Sequence, residues 1–200
     1  MIVLDADADE LRARAMRWGL VPFWAKDTRV GFKMINARSE TVATKAAYKQ
    51  PFQHTRCLVP ATGFYEWEQT GERTRSAKVP HHYSHVDGSP CVMAGLWTTW
   101  VDKATGEVLD SYTVVTREAN DVVGPVHDRM PVLLGSGADM AWLDPGASLE
   151  QLTELMHADS APPLIDQIAS TMVNSSRNDG PALLVPDPPP DAPPDELTLL

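Results

Sequence analysis

Short apolar runs punctuated by turn residues dominate this chain, a pattern that predicts strands more often than helices. Residues 16–24 read as a strand running into an aromatic turn at Pro22, and residues 33–37 as a second extended piece. Leu58 and Val59 read as the end of a buried strand, which Pro60 should stop because it has no N–H for a ladder. Gly63 then permits a turn that other residues resist, ahead of Phe64, Tyr65, Glu66 and Trp67. Residues 81–86 and 91–100 flank Asp87-Gly88, a favoured two-residue turn, and predict a hairpin. Residues 110–116 alternate and are β-branched, and 130–134 form a short apolar strand.

Helical signals are fewer. Residues 5–15 are helix-compatible, and 41–50 carry enough Ala and Lys for a helix ended by Pro51. The clearest helix covers 148–157, where Leu149, Leu152, Leu155 and Met156 share a face and Ser148 with Gln151 makes a capping box. Residues 164–172 suggest a second short helix, and the polar stretch 69–78 a loop. Many short strands with few helices predict an α+β class, mainly β, as one domain over residues 1–180. Residues 181–200 hold seven of the seventeen prolines and should form a disordered Pro/Asp-rich tail, having no surface to bury. There is no internal repeat.

Two hundred residues, 43% of them hydrophobic, can bury a substantial core. No apolar run approaches the ~18 residues of a membrane span, and the first ten residues lack the basic start of a signal peptide. The expected location is the cytoplasm, with Cys57 and Cys91 as reduced buried thiols and the protein a monomer. The net charge of −10 is unevenly spread. Residues 11–56 carry ten Lys or Arg against two acids, whereas 158–200 carry seven acids against one Arg. Either the basic segment faces an anionic ligand, or its charges are scattered over a solvated surface.

Glu66 lies among three aromatic residues. Desolvation there would raise its pKa, as a proton-transfer group requires, or strand alternation would turn it outward into water. His127 sits between Pro125 and Pro131 in a constrained loop, and imidazole titrates near neutrality. The alternative is a loop His bonded to Asp128. Asn36 and Arg38 alternate on an extended piece and so face the same way; an Arg fork suits phosphate and an Asn amide a sugar oxygen. An ordinary polar sheet edge is the other reading. Arg129 fits a phosphate or an ion pair with Asp128. Trp18, Trp24, Trp67, Trp97 and Trp100 belong to the core or, where exposed, to base-stacking surfaces. His81, His82, His85 and Cys91 match no standard zinc pattern, so no metal or cofactor is expected.

Taken in order, Arg17-Trp18-Gly19-Leu20-Val21-Pro22, Asn36-Ala37-Arg38-Ser39-Glu40-Thr41, Gly63-Phe64-Tyr65-Glu66-Trp67, Ala94-Gly95-Leu96-Trp97, Thr116-Arg117-Glu118-Ala119-Asn120 and His127-Asp128-Arg129-Met130-Pro131 resemble the SOS response-associated peptidase (SRAP) family. The resemblance runs from about Met16 to Trp142 and weakly on to Val173-Asn174 and Gly180-Pro181. It implies an open barrel of antiparallel strands with peripheral helices. It also implies that abasic sites in single-stranded DNA are the partner and that a covalent DNA–protein crosslink forms, with self-processing of the initiator Met. An N-terminal cysteine supplies amine and thiol to close a thiazolidine on the sugar aldehyde. Carried over, Asn36, Glu66 and His127 are the catalytic set, Asn36 positioning nucleophile and sugar and the other two moving protons. Arg38 and Arg129 hold phosphates, and Trp18 and Trp67 contact DNA.

The family begins Met-Cys-Gly-Arg, whereas this sequence begins Met1-Ile2-Val3-Leu4 and reaches the first motif by Arg17. It therefore reads as N-terminally truncated, with a sheet edge or core face left uncovered. The alternative functions are a single-stranded DNA-binding module without the nucleophile, or a peptidase acting on protein.

Overall fold

The computed structural model describes residues 2–7, 10–68 and 78–187. The strands are β1 (Ile2–Asp7), β2 (Glu10–Ala15), β3 (Arg17–Trp18), β4 (Asn36–Arg38), β5 (Arg56–Ala61), β6 (Phe64–Glu68), β7 (Val79–His85), β8 (Cys91–Val101), β9 (Val108–Glu118), β10 (Arg129–Pro131) and β11 (Leu164–Ile168). The helices are α1 (Ser39–Val42), α2 (Lys49–His54), α3 (Ala138–Leu143) and α4 (Leu149–His157). The larger sheet runs β10-β9-β8-β5-β1-β2 and curls into an open half-barrel. The smaller sheet runs β11-β7-β6. The α+β, mainly β class holds, with one addition: β3 and β4 pair with β9 in parallel.

The central strands β5, β8 and β9 are covered on both faces, which is why they read as continuous apolar runs. Leu58, Ala94, Leu96 and Val115 pack outward against Phe52, Trp142, Leu152 and Met156 of the helices. Cys57, Val59, Met93, Tyr112 and Val114 pack inward against Phe64, Tyr83 and Leu164 of the small sheet. Arg56 is 6% exposed and its guanidinium donates to four main-chain carbonyls: Phe52 (2.8 Å), Gln53 (2.8 Å), Trp142 (2.6 Å) and Asp144 (2.6 Å). It thereby satisfies the carbonyl ends of α2 and α3, which lack intrahelical partners.

Several expectations are overturned. Residues 5–15 belong to a strand hairpin, β1–β2; the two-residue alternation of Arg12 and Arg14 with Leu11 and Ala13 carried that signal. Leu4 of β1 sits beside Leu58, so the β5 edge is covered rather than open. Pro60 does not stop β5 but pairs with Val92 inside it, near the strand end, where a missing N–H is tolerated. Pro51 lies in the first turn of α2, where it costs no hydrogen bond, and the 41–50 helix is replaced by α1 and α2. Asp87-Gly88 forms its turn, with Gly88 at φ +73°, but β7 and β8 diverge into different sheets. Residues 164–172 form β11 and the start of a 3₁₀ turn, Thr171–Asn174, because pairing to β7 outweighs local helix preference. The 148–157 helix is present with its capping box. The tail expected to be disordered from 181 instead begins with a 3₁₀ turn, Pro181–Leu184, and Asp187 is bonded to Ser170 and Thr171. Residues 188–200, and 69–77 of the expected loop, lie outside the described residues.

Candidate functional site

A cleft of about 340 Å³ opens where β6 approaches the concave face of the large sheet. Trp18, Asn36, Glu66, Trp67, Tyr112 and Thr116 are among its lining. The register explains the convergence. Trp18 lies opposite Tyr112 and Asn36 opposite Val114, so β3 and β4 present both side chains along β9. Ala37 is fully buried between exposed Asn36 and Arg38, the alternation expected of a strand with one solvated face. Gly19 frees the chain just after Trp18. Its φ is +102°, and a Cβ there would lie 2.5 Å from the Gly31 carbonyl oxygen. The Trp18 indole then donates to the Ile35 carbonyl at 2.8 Å, fixing the ring at the cleft mouth.

Glu66 is not turned out into water. It shares a sheet face with Phe64 and, opposite on β7, His81 and Tyr83. Burial raises its pKa most strongly; the His127 imidazole opposes that shift and the Asp128 carboxylate adds to it. Glu66 Oε2 lies 3.8 Å from His127 Nδ1. That nitrogen lies 3.0 Å from the Arg129 main-chain nitrogen and 3.2 Å from the Arg129 carbonyl oxygen, so it accepts from the first or donates to the second according to the tautomer. Asp128 stands 3.4 Å from the same nitrogen. A shift of about one ångström, or one bridging water, would let Glu66 and His127 exchange a proton.

The cations are sorted by the structure. The Arg38 side chain is exposed and makes no hydrogen bond or ion pair among the described residues. Arg129 pairs with neither Asp128 nor open solvent. It grips Glu40 in a two-pronged pair at 2.6 and 3.0 Å and donates to the Thr116 carbonyl at 2.7 Å. The Arg129 fork in turn holds the Glu40 carboxyl below the usual range. Of the basic segment, Arg56 is buried, Arg29 is paired with Asp27, and Arg14 is bound to Asp110 while covering the Trp97 ring. Lys26, Lys33, Arg38, Lys45 and Lys49 remain exposed, so the basic face is smaller than residue counting implied. Trp24 is 54% exposed, whereas Trp100 is buried and donates to the Ala25 carbonyl. His81 is bonded to Asp166 at 2.8 Å, and no cluster of three metal-ligating side chains forms among the described residues. Sequence reasoning missed Glu40 as the partner of Arg129, and Asn174, whose Oδ1 accepts the Trp67 indole N–H at 2.6 Å. Only their places inside recurring motifs hinted at either.

A profile for SOS response associated peptidase (SRAP) matches residues 1–176. The chain belongs to the SRAP family. It is 35% identical over 179 residues to the abasic site processing protein YoqW of Bacillus subtilis, covering 89% of this chain and 78% of the relative. It is 36% identical over 201 residues to the abasic site processing protein HMCES of Gallus gallus, covering 91% of this chain and 60% of the longer relative. Among solved structures, a crystal structure of a Bacteroides thetaiotaomicron protein superposes with a TM-score of 0.78 at 26% identity, over 92% of this chain and 80% of that one. The half-barrel is thus the SRAP fold.

Proposed function

We propose that this SRAP chain recognises abasic sites in single-stranded DNA and moves protons at the exposed sugar with Glu66 and His127. The observation that carries the reading is the convergence of Asn36, Glu66, Trp18 and Trp67 on one cleft, with His127 3.8 Å behind Glu66. Relatives named abasic site processing proteins support it. A sugar without its base opens to an aldehyde when its ring C–O bond breaks, the ring oxygen gaining a proton as the C1 hydroxyl gives one up. Glu66, whose pKa is raised by burial, can hold that proton at higher pH than a solvated carboxyl. His127 takes or returns it, and the Asn36 amide orients the sugar oxygen. Arg38 meets a phosphate, and the Trp18 and Trp67 rings flank the unpaired strand. Arg129 acts through Glu40, holding α1 beneath Arg38, rather than on phosphate directly. The proposed place of action is the cytoplasm, on the nucleoid.

Capture of the aldehyde as a thiazolidine needs an α-amine and a thiol on one residue. Cys57 and Cys91 are fully buried and their nitrogens lie in peptide bonds, so neither supplies it. In a second reading, non-covalent abasic-site binding, these buried thiols likewise take no part. Fluorescence anisotropy with labelled single-stranded DNA, with and without one abasic site, tests recognition. A denaturing gel with and without borohydride tests covalency. Preference for the abasic strand, lost in Glu66→Gln, is the expected result. Equal affinity for both strands overturns the reading.

A further inference from the structure

We propose that Asn174 is a positioning residue for the Trp67 wall of the cleft, and that Asp187 latches the turn that carries Asn174. The proposal rests on the cleft being the functional site, as argued above. The Trp67 indole Nε1 donates to Asn174 Oδ1 at 2.6 Å, a contact between residues far apart in the chain. Trp67 lines the cleft, so whatever fixes its indole fixes one wall. Asn174 ends the 3₁₀ turn Thr171–Asn174, and a single such turn has little stability of its own.

That turn is held at its start. Asp187 Oδ1 accepts from the Ser170 hydroxyl at 2.6 Å, and Asp187 Oδ2 accepts from the Thr171 N–H at 2.9 Å and the Thr171 hydroxyl at 2.5 Å. The Ser170 N–H donates to the Leu183 carbonyl at 3.0 Å, and the Ala169 N–H to the Pro80 carbonyl at 2.9 Å, which ties the strap to β7. The Asp187 bonds and the Trp67 bond therefore fall at the two ends of one short turn, Thr171–Asn174. Asp187 accepts these bonds as a carboxylate, and they lower its pKa, the Ser170 bond most. A group with a depressed folded pKa keeps its contribution above the unfolded pKa and loses it as pH falls through the folded one. The latch is closed at neutral pH.

The test is a ¹⁵N–¹H spectrum of the six tryptophan indoles, with Trp67 assigned by its loss in Trp67→Phe. Asn174→Ala should move the Trp67 indole signal towards the position of a solvent-bonded indole and leave the other five in place, which also reports an intact fold. Asp187→Ala should move the same signal in the same direction by less. Asn174→Asp, which keeps an acceptor oxygen, should restore it. Affinity for abasic single-stranded DNA should fall about fivefold in Asn174→Ala, as expected for one lost hydrogen bond, and recover in Asn174→Asp. An unmoved Trp67 signal in Asn174→Ala overturns the positioning role, and one unmoved in Asp187→Ala overturns the latch. Shifted signals in a protein that binds abasic and intact strands alike uphold the positioning and refute the function instead.

Discussion

Glu66 and His127 face each other across the back of the cleft, Oε2 to Nδ1 at 3.8 Å, from two elements that share no sheet pairing. β6 supplies the carboxyl and the loop before β10 supplies the imidazole. Neither group is in full water, with side-chain exposures of 22% for Glu66 and 30% for His127. Each therefore feels the charge of the other through a medium less screening than bulk solvent. The pair is the part of the cleft best suited to move a proton.

The raised pKa of Glu66 makes a thermodynamic prediction. Its protonated form is favoured by the fold, so that contribution is present below the ordinary Glu range and lost as pH rises through the raised value. At pH 8, wild type therefore carries the cost of a half-buried carboxylate. Glu66→Gln removes that cost and should raise the melting temperature there by about 1–3 °C. Below pH 4 the two proteins should melt together. Melting curves from about pH 3 to 8 check this, and a lower melting temperature for the variant at pH 8 contradicts it.

Gly19 should tolerate no side chain. Alanine would have to adopt φ +102° and place its Cβ 2.5 Å from the Gly31 oxygen. Left-handed strain and the clash together should cost at least about 2 kcal/mol. Gly31→Ala should be similarly harmful, because its Cβ would meet the Gly19 oxygen at 2.6 Å. Urea unfolding midpoints measure both. Trp18 precedes Gly19, so the surviving folded fraction of Gly19→Ala should also bind abasic DNA more weakly.

Arg56 offers a sharper stability test. Removing its guanidinium takes a donor from four carbonyl oxygens, two at the end of α2 and two at the end of α3, of which that of Asp144 keeps the Ala147 N–H. Arg56→Met should destabilise by about 3–5 kcal/mol, the range for stripping one buried charged partner. Arg56→Lys should rescue little, since an ammonium cannot reach four acceptors in a planar fork. Denaturant titration gives the numbers.

Much of this molecule was legible from the sequence. The β-rich class, the 148–157 helix with its cap, and the shared outward face of Asn36 and Arg38 follow from short-range periodicity. What failed was long-range. Asp87-Gly88 announces a turn but not that β7 leaves for a second sheet. Glu66 alternates like an exposed residue, yet the face it shares with Tyr83 turns inward because β11 pairs with the far edge of β7. Arg56 counted as surface charge until the ends of α2 and α3 were found around it. No local pattern encodes those neighbours, because each is set by strands distant in sequence.

Arg38 and Arg129 should separate cleanly on mutation, although the family resemblance implies a phosphate for both. Arg38 is exposed and free of ion pairs among the described residues, so Arg38→Ala should leave the melting temperature unchanged. It should weaken binding to all single-stranded DNA alike and reduce the slope of log affinity against log salt by about 0.7, the value for one phosphate contact. Arg129 is engaged by Glu40 and the Thr116 carbonyl, and its side chain is 19% exposed. Arg129→Ala should instead lower stability by about 1–3 kcal/mol, because Glu40 and Thr116 lose their donor, and leave the salt slope near wild type. A double-mutant cycle with Glu40→Ala should show a coupling of about 1 kcal/mol, since Glu40 is 46% exposed and solvent screens the pair. If Arg129→Ala reduced the salt slope as Arg38→Ala does, with stability intact, Arg129 would be releasing Glu40 to take a phosphate. The positioning role argued for it would then fail.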